Sequence, residues 1–344
     1  MRFKSLCVII LLFAMLMSGC GESQTVVESQ NVTVVEETAP PQISSEELEN
    51  AYVDAVELDI PNLEAEAAIV AEAEEAAIPD ILEPVASGEL VMENEKAIID
   101  YSNSSDGYIM VRYIAETDKR IKVQVKHDTT YTYNLPHGEW AVFPLSDGNG
   151  KYQFKVYQNV SGSQYSLSAA LEHEVTLSDE FAPFVRPNQY VDYSESSKAV
   201  EKAWELTKDI DNPLGKVEAV YNFVVKELSY DQQRAATVKS GYIPDLDSVL
   251  EEKKGICFDY AALMTGMLRS QGIPCKMVFG YTGGAYHSWI SVWTEDTGWV
   301  DGVIFFDGVA WQRLDPTFAS YENQSEQIMN YIGNGANYSE KYFY

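Results

Sequence analysis

Between residues 94 and 178 apolar and polar positions alternate in short runs. They are Tyr108-Ile-Met-Val-Arg-Tyr113, Ile121-Lys-Val-Gln-Val125, Tyr131-Thr-Tyr133, Trp140-Ala-Val-Phe143 and Tyr152-Gln-Phe-Lys-Val-Tyr157. Period two buries one face of each run. Turn signals such as Asp147-Gly148-Asn149-Gly150 separate the runs, and together they predict an antiparallel β-sandwich over 94–178. Beyond Pro183 and Pro187 the period lengthens to 3.6. Ala199, Ala203, Leu206 and Ile210 define one helical face, and Val217, Val220, Tyr221, Val224 and Leu228 a second. Asp247 is expected to cap a short helix through Leu250, stopped by Gly255. Tyr260, Leu263, Met264, Met267 and Leu268 define a further helix, with Gly272 and Pro274 as its stop signals. Strands are predicted over Lys276–Tyr281, His287–Thr294, Trp299–Phe306 and Ala310–Leu314. Helices first and strands after make 188–344 an α+β domain.

The chain before residue 94 reads differently. Arg2 and Lys4 precede an apolar run from Leu6 to Met17, which is too short for a bilayer span of about 20 residues but suits a signal-peptide core. Residues 21–90 hold 18 Asp and Glu, no Lys or Arg, and Tyr52 as their one aromatic. Such a segment buries too little to offset its ordering entropy, and like charges extend it. Residues 20–90 are therefore expected to be a disordered acidic tether, with helix-forming composition at Ser44–Val56 and Glu64–Ala77. The tether carries most of the formal charge of −29. A balance of 24 basic against 53 acidic residues excludes a nucleic-acid partner, which needs clustered Lys and Arg.

The run Leu16-Met17-Ser18-Gly19-Cys20 resembles a bacterial lipoprotein signal. The resemblance implies a cleaved signal peptide over 1–19, a lipid on Cys20, and a protein held to the outer face of the bacterial cytoplasmic membrane. Of the four cysteines, Cys257 and Cys275 then remain as thiols.

Candidate chemistry gathers on three residues. Cys257 opens the predicted amphipathic helix, where unpaired backbone N–H groups and the positive end of the helix dipole favour a thiolate. His287 opens an alternating strand, His287-Ser-Trp289-Ile-Ser291-Val-Trp293. Asp315 ends the strand Trp311-Gln-Arg-Leu314. A helix packed on two such strands brings together a nucleophile, a base and a carboxylate that orients the base. Zinc on Cys257, Cys275, His287 and Asp315 lacks the close ligand pairs of zinc sites. A Cys257–Cys275 disulfide would remove the nucleophile, so Cys275 is expected buried and free. His127, His137 and His173 have no ligand-like spacing, and no cofactor or metal is expected.

Gly255-Ile-Cys257-Phe-Asp259-Tyr260-Ala261-Ala262-Leu263, Arg269-Ser-Gln-Gly272-Ile273-Pro274, Gly280-Tyr281, His287-Ser288-Trp289 and Trp311-Gln-Arg-Leu-Asp315-Pro316-Thr317 resemble the bacterial transglutaminase-like superfamily. Tyr230-Asp231 and Gly241-Tyr242-Ile-Pro-Asp245 resemble its lead-in. Ser288 departs from the pattern, where Ala is more usual. The resemblance spans about 195–320 and implies a papain-like fold with a Cys-His-Asp triad. Cys257 would attack a carboxamide, His287 would move the proton, and Asp315 would hold the imidazole. The Cys257 N–H would serve as an oxyanion donor. Trp289, Trp299, Tyr281 and Tyr286 are candidate walls. The expected enzyme is a tethered thiol protease, amidase or acyltransferase acting on peptides or proteins of the cell envelope. The competing class is an inert surface lipoprotein that binds through the β-sandwich.

Overall fold

The computed structural model describes residues 32–34, 78–282, 285–295, 298–301, 304–306, 311–313 and 338–344. The predicted signal peptide, Cys20, both helix-forming stretches of the tether and Asp315 lie outside the described residues. Among the described residues no helix is long and apolar enough to cross a membrane.

The sheet-rich region begins earlier than the alternation suggests. Strand β1 (Val32–Val34) pairs antiparallel with β9 (Gln164–Val175), Thr33 facing Tyr165. From residue 78 onward the expected tether is pinned to the fold. The Val85 carbonyl accepts from Asn103 Nδ2 at 2.7 Å, and the Gly88 N–H donates to the buried Asp100 carboxylate at 2.7 Å. Two sheets follow. One has the order β1-β9-β8-β5-β6, with β5 (Ile121–Lys126), β6 (Thr130–Leu135) and β8 (Gly150–Ser161). The other has the order β2-β3-β4-β7, from β2 (Val91–Glu93), β3 (Ala97–Asp100), β4 (Tyr108–Tyr113) and β7 (Trp140–Pro144). Register shows why the alternation matters. Val123 lies opposite Tyr133 on one side and Val156 on the other, and all three are buried.

The helices are α1 (Lys198–Thr207), α2 (Pro213–Glu227), α3 (Gln232–Thr237), α4 (Leu246–Glu252) and α5 (Cys257–Arg269). Asn212 caps α2 by accepting from the Gly215 N–H, and Pro213 takes the first position, where its missing N–H costs nothing. Helix α1 ends before Ile210, so that residue falls outside the predicted face. The cap of α4 is Asp245 rather than Asp247, accepting from the Ser248 N–H at 2.7 Å. Asp247 instead accepts from the Ala199 N–H at 3.0 Å and ties α4 to the start of α1. The helix stops at Lys253, whose φ is +50°, two residues earlier than Gly255.

Helix α5, expected to be amphipathic, is buried along its whole length, its charged residues Asp259 and Arg269 included. It packs on β12 (Cys275–Thr282) and β13 (Ala285–Thr294). These belong to an antiparallel sheet of order β14-β13-β12-β17, completed by β14 (Gly298–Asp301) and β17 (Tyr338–Phe343). The single strand predicted over 299–306 is two: β14, and β15 (Ile304–Phe306), which pairs with β16 (Trp311–Arg313). Short parallel strands β10 (Ser229–Tyr230) and β11 (Lys254–Gly255) lead into α5.

One apolar cluster runs through all of these layers, from Ile109 and Phe154 to Leu263 and Tyr344. Arg269 joins them with a buried guanidinium. It donates to the carbonyls of Cys275 (2.9 Å), Arg186 (2.8 Å) and Tyr344 (2.6 Å), so α5, the preceding connection and the segment after β17 share one side chain.

Candidate active site

Cys257 is the first residue of α5 and 1% exposed. The residue before it, Ile256, is extended and has no side chain able to cap a helix. Asp259 does that work from inside the first turn: its Oδ2 accepts from the Ile256 N–H at 2.7 Å. The Tyr242 hydroxyl donates to Asp259 Oδ1 at 2.5 Å, and Arg234 Nη1 to Oδ2 at 3.3 Å. Arg234 is itself held by Glu252 at 2.6 Å. Asp259 is fully buried, and burial raises its carboxyl above the ordinary range, against the lowering effects of Tyr242, the Ile256 N–H and Arg234. Gly255 is required where it stands, because a Cβ there would lie 2.5 Å from the Cβ of Asp259. The Asp231 N–H closes on the Gly255 carbonyl at 2.8 Å, clamping the approach to Cys257 from the other side. Sequence patterning gave Arg234 no signal at all. Tyr242 was visible only within the family-like motifs, whereas Asp259 was legible as a structural acid of the first helical turn, where its charge suits the dipole.

His287 is buried in β13, opposite Gly280 of β12. The neighbouring pair is Phe279 with Ser288, and Phe279 meets the Phe258 ring of α5 at 4.9 Å. Pleating therefore sets Tyr286 and Ser288 on the face that receives Phe258, and His287 with Trp289 on the alternate face. The structure brings α5 and the strand of His287 together, with Cys257 and His287 in adjoining elements. Asp315 is outside the described residues; the strand leading towards it, β16, is paired with β15.

Tyr286, one of the four candidate walls, is electrostatically linked to Cys257. Burial chiefly pushes its phenol up, followed by Tyr342, Tyr190, Tyr281 and the Cys257 thiol. Trp289 is buried with its ring edge-on to Tyr338 at 5.0 Å. Trp299 instead receives the Lys276 ammonium 3.7 Å from its ring centroid. Tyr281 is exposed.

Cys275 is buried and free, as is Cys257. Burial pushes the Cys275 thiol up to about 12, opposed by Arg269 and a contact with Thr265. His173 and His127 have local partners: His173 Nε2 lies 3.1 Å from Ser104 Oγ, and His127 stacks on Tyr152 at 4.9 Å. Among the described residues no group of three or more His, Cys, Asp or Glu is arranged to hold a metal ion.

Helix α5 opens on Cys257 and packs on an antiparallel sheet, and this part of the chain matches a family model. Residues 201–302 belong to the transglutaminase-like superfamily, whose family model covers them. The uncharacterized protein YebA of Bacillus subtilis (strain 168) is 32% identical over 117 residues, 28% of this chain and 16% of that protein. A protein-glutamine gamma-glutamyltransferase of Pseudomonas aeruginosa is 27% identical over 95 residues, 24% of this chain and 12% of that one. The chain thus spans less than a fifth of the length of either relative. Among solved structures, red sea bream transglutaminase aligns with a TM-score of 0.27 and 14% identity, over 63% of this chain and 49% of that one.

Proposed function

We propose that this chain is a lipid-tethered, extracytoplasmic thiol enzyme that opens amide bonds of peptides or proteins at the cell envelope. The observation that carries the reading is Cys257 at the first position of a buried helix inside the matched domain. In the reaction Cys257 Sγ attacks the amide carbonyl, the C–S bond of a thioester forms, and the C–N bond breaks. His287 takes the thiol proton and returns it to the departing amine, while Asp315 orients the imidazole. Water then releases an acid, or a second amine takes the acyl group. The choice between them rests on how well the closed site excludes water. For the first step the imidazole has to come within hydrogen-bond reach of Sγ. The sheet-rich region would sit between the Cys20 lipid and the catalytic part as a β-sandwich spacer.

The test is alkylation of Cys257 by iodoacetamide at neutral pH, followed by mass spectrometry of its peptide in the native chain, in urea, and in His287→Ala. An activated thiol reacts at least about tenfold faster in the native chain than in urea, and slows without His287. Equal rates in all three, or no native labelling, would favour the inert surface-binding lipoprotein instead.

A further inference from the structure

We infer that Asp259 and Tyr242 are positioning residues that aim the backbone N–H of Cys257 at the oxyanion formed during acyl transfer. The inference rests on the enzyme reading above and adds residues to that site.

The argument begins with the peptide unit between Ile256 and Cys257, which carries that N–H. In the first turn of a helix the N–H groups have no partner within the helix, so their direction is free to be used. Here the direction is fixed by holding Ile256 at both ends. Its N–H donates to Asp259 Oδ2 at 2.7 Å, and its carbonyl accepts from the Tyr260 N–H at 3.1 Å. The Ile256 side chain contributes no bond, so the carboxylate is what locks its N–H.

The carboxylate is in turn fixed. Tyr242 holds the other oxygen at 2.5 Å, and the Tyr242 ring stands edge-on to Phe258 at 6.2 Å. Arg234 reaches Oδ2 and is anchored by Glu252. The close approach of Gly255 to Asp259 leaves the carboxylate no room to swing. A buried carboxylate two residues from a nucleophile is electrostatically costly, since its charge opposes a neighbouring thiolate. Its retention with three donors around it is accounted for by a geometric task. The Asp259–Ile256 bond is the N3 half of a capping box, standing here without a Ser or Thr at the N-cap to supply the other half.

An oxyanion donor matters only when a carbonyl oxygen gains charge, as in acylation. It has no part in alkylation, where the thiol displaces iodide from a saturated carbon. The two reactions at the same sulfur therefore separate positioning of the N–H from simple integrity of the fold. The full chain would be acylated with p-nitrophenyl acetate, reading p-nitrophenolate release, and alkylated in parallel with iodoacetamide. Tyr242→Phe loses one hydroxyl and is expected to fold. Its acylation should slow by about tenfold, a fraction of the 10²–10³ seen when an oxyanion donor is removed outright. Its alkylation should stay within about threefold of wild type, with an unchanged far-ultraviolet spectrum. A folded Tyr242→Phe chain acylated at the wild-type rate overturns the assignment, as does an equal slowing of both reactions. If the wild-type chain itself is not acylated at Cys257, the enzyme reading fails, which is a distinguishable result.

Discussion

Two thiols in one domain are placed for opposite fates. Cys257 stands at a helix start beside the hairpin of His287, whereas Cys275 is sealed behind Arg269 and Thr265 with its thiol pushed up to about 12, chiefly by burial. A raised thiol value keeps Cys275 neutral at physiological pH, and a neutral buried thiol is a poor nucleophile. Native iodoacetamide treatment at pH 8 should therefore leave the Cys275 peptide unmodified, and urea should expose it; native modification would show that the seal is open. At this scale the sequence was informative about Cys257, because a Cys just ahead of an amphipathic run has a position as well as an identity. It was silent on Arg234, whose role exists only because α3 and the end of α4 converge on Asp259.

Among the elements, β12 is the most constrained. Gly280 faces His287 across one ladder and, through an irregularity at Phe279/Gly280, meets β17 on the other. A Cβ there would lie 2.1 Å from the Ser339 carbonyl oxygen and 2.6 Å from the Trp289 ring. Gly280→Ala should force β17 away and cost about 1–3 kcal/mol, the usual penalty of overpacking. In a thermal melt the midpoint should fall by several degrees; an unchanged midpoint would mean β17 yields to the added methyl without cost. The strand Tyr108–Tyr113 was legible residue for residue, although Tyr108, Ile109, Met110 and Val111 are all buried rather than every second residue. Strand β9 was not, because Ala169-Ala170 and the polar run Glu172-His173-Glu174 break the period, and its place is fixed by pairing with β8. Strand β17 carries Glu340 and Lys341 and owes its conformation to the edge of β12.

Among the described residues, tyrosines are the commonest buried side chains that carry a polar group. Tyr133 and Tyr344 face each other at 5.7 Å, and burial holds both well above the ordinary phenol range, with neighbouring phenols adding to the effect. Tyr131 and Tyr193 are raised for the same leading reason. For acids with raised folded values, the stabilising contribution is complete below the unfolded value of about 10 and is lost as pH rises through the folded ones. Absorbance at 295 nm should thus rise first for exposed tyrosines near pH 10. A second, cooperative rise should coincide with loss of near-ultraviolet circular dichroism. Full ionisation with the dichroism intact would contradict this burial. Sequence reading separated a sheet-rich part from a helical part by their periods, yet period carries no information on how their apolar faces meet.

Arg269 settles what that meeting does on heating. Its three nitrogens donate to backbone oxygens of three separate stretches. Freeing any one stretch strands part of a guanidinium in an apolar interior, and that cost falls on the other two. The helix, the connection at Arg186 and the strand ending at Phe343 are thereby bound to melt in a single step, with no partly opened form in between.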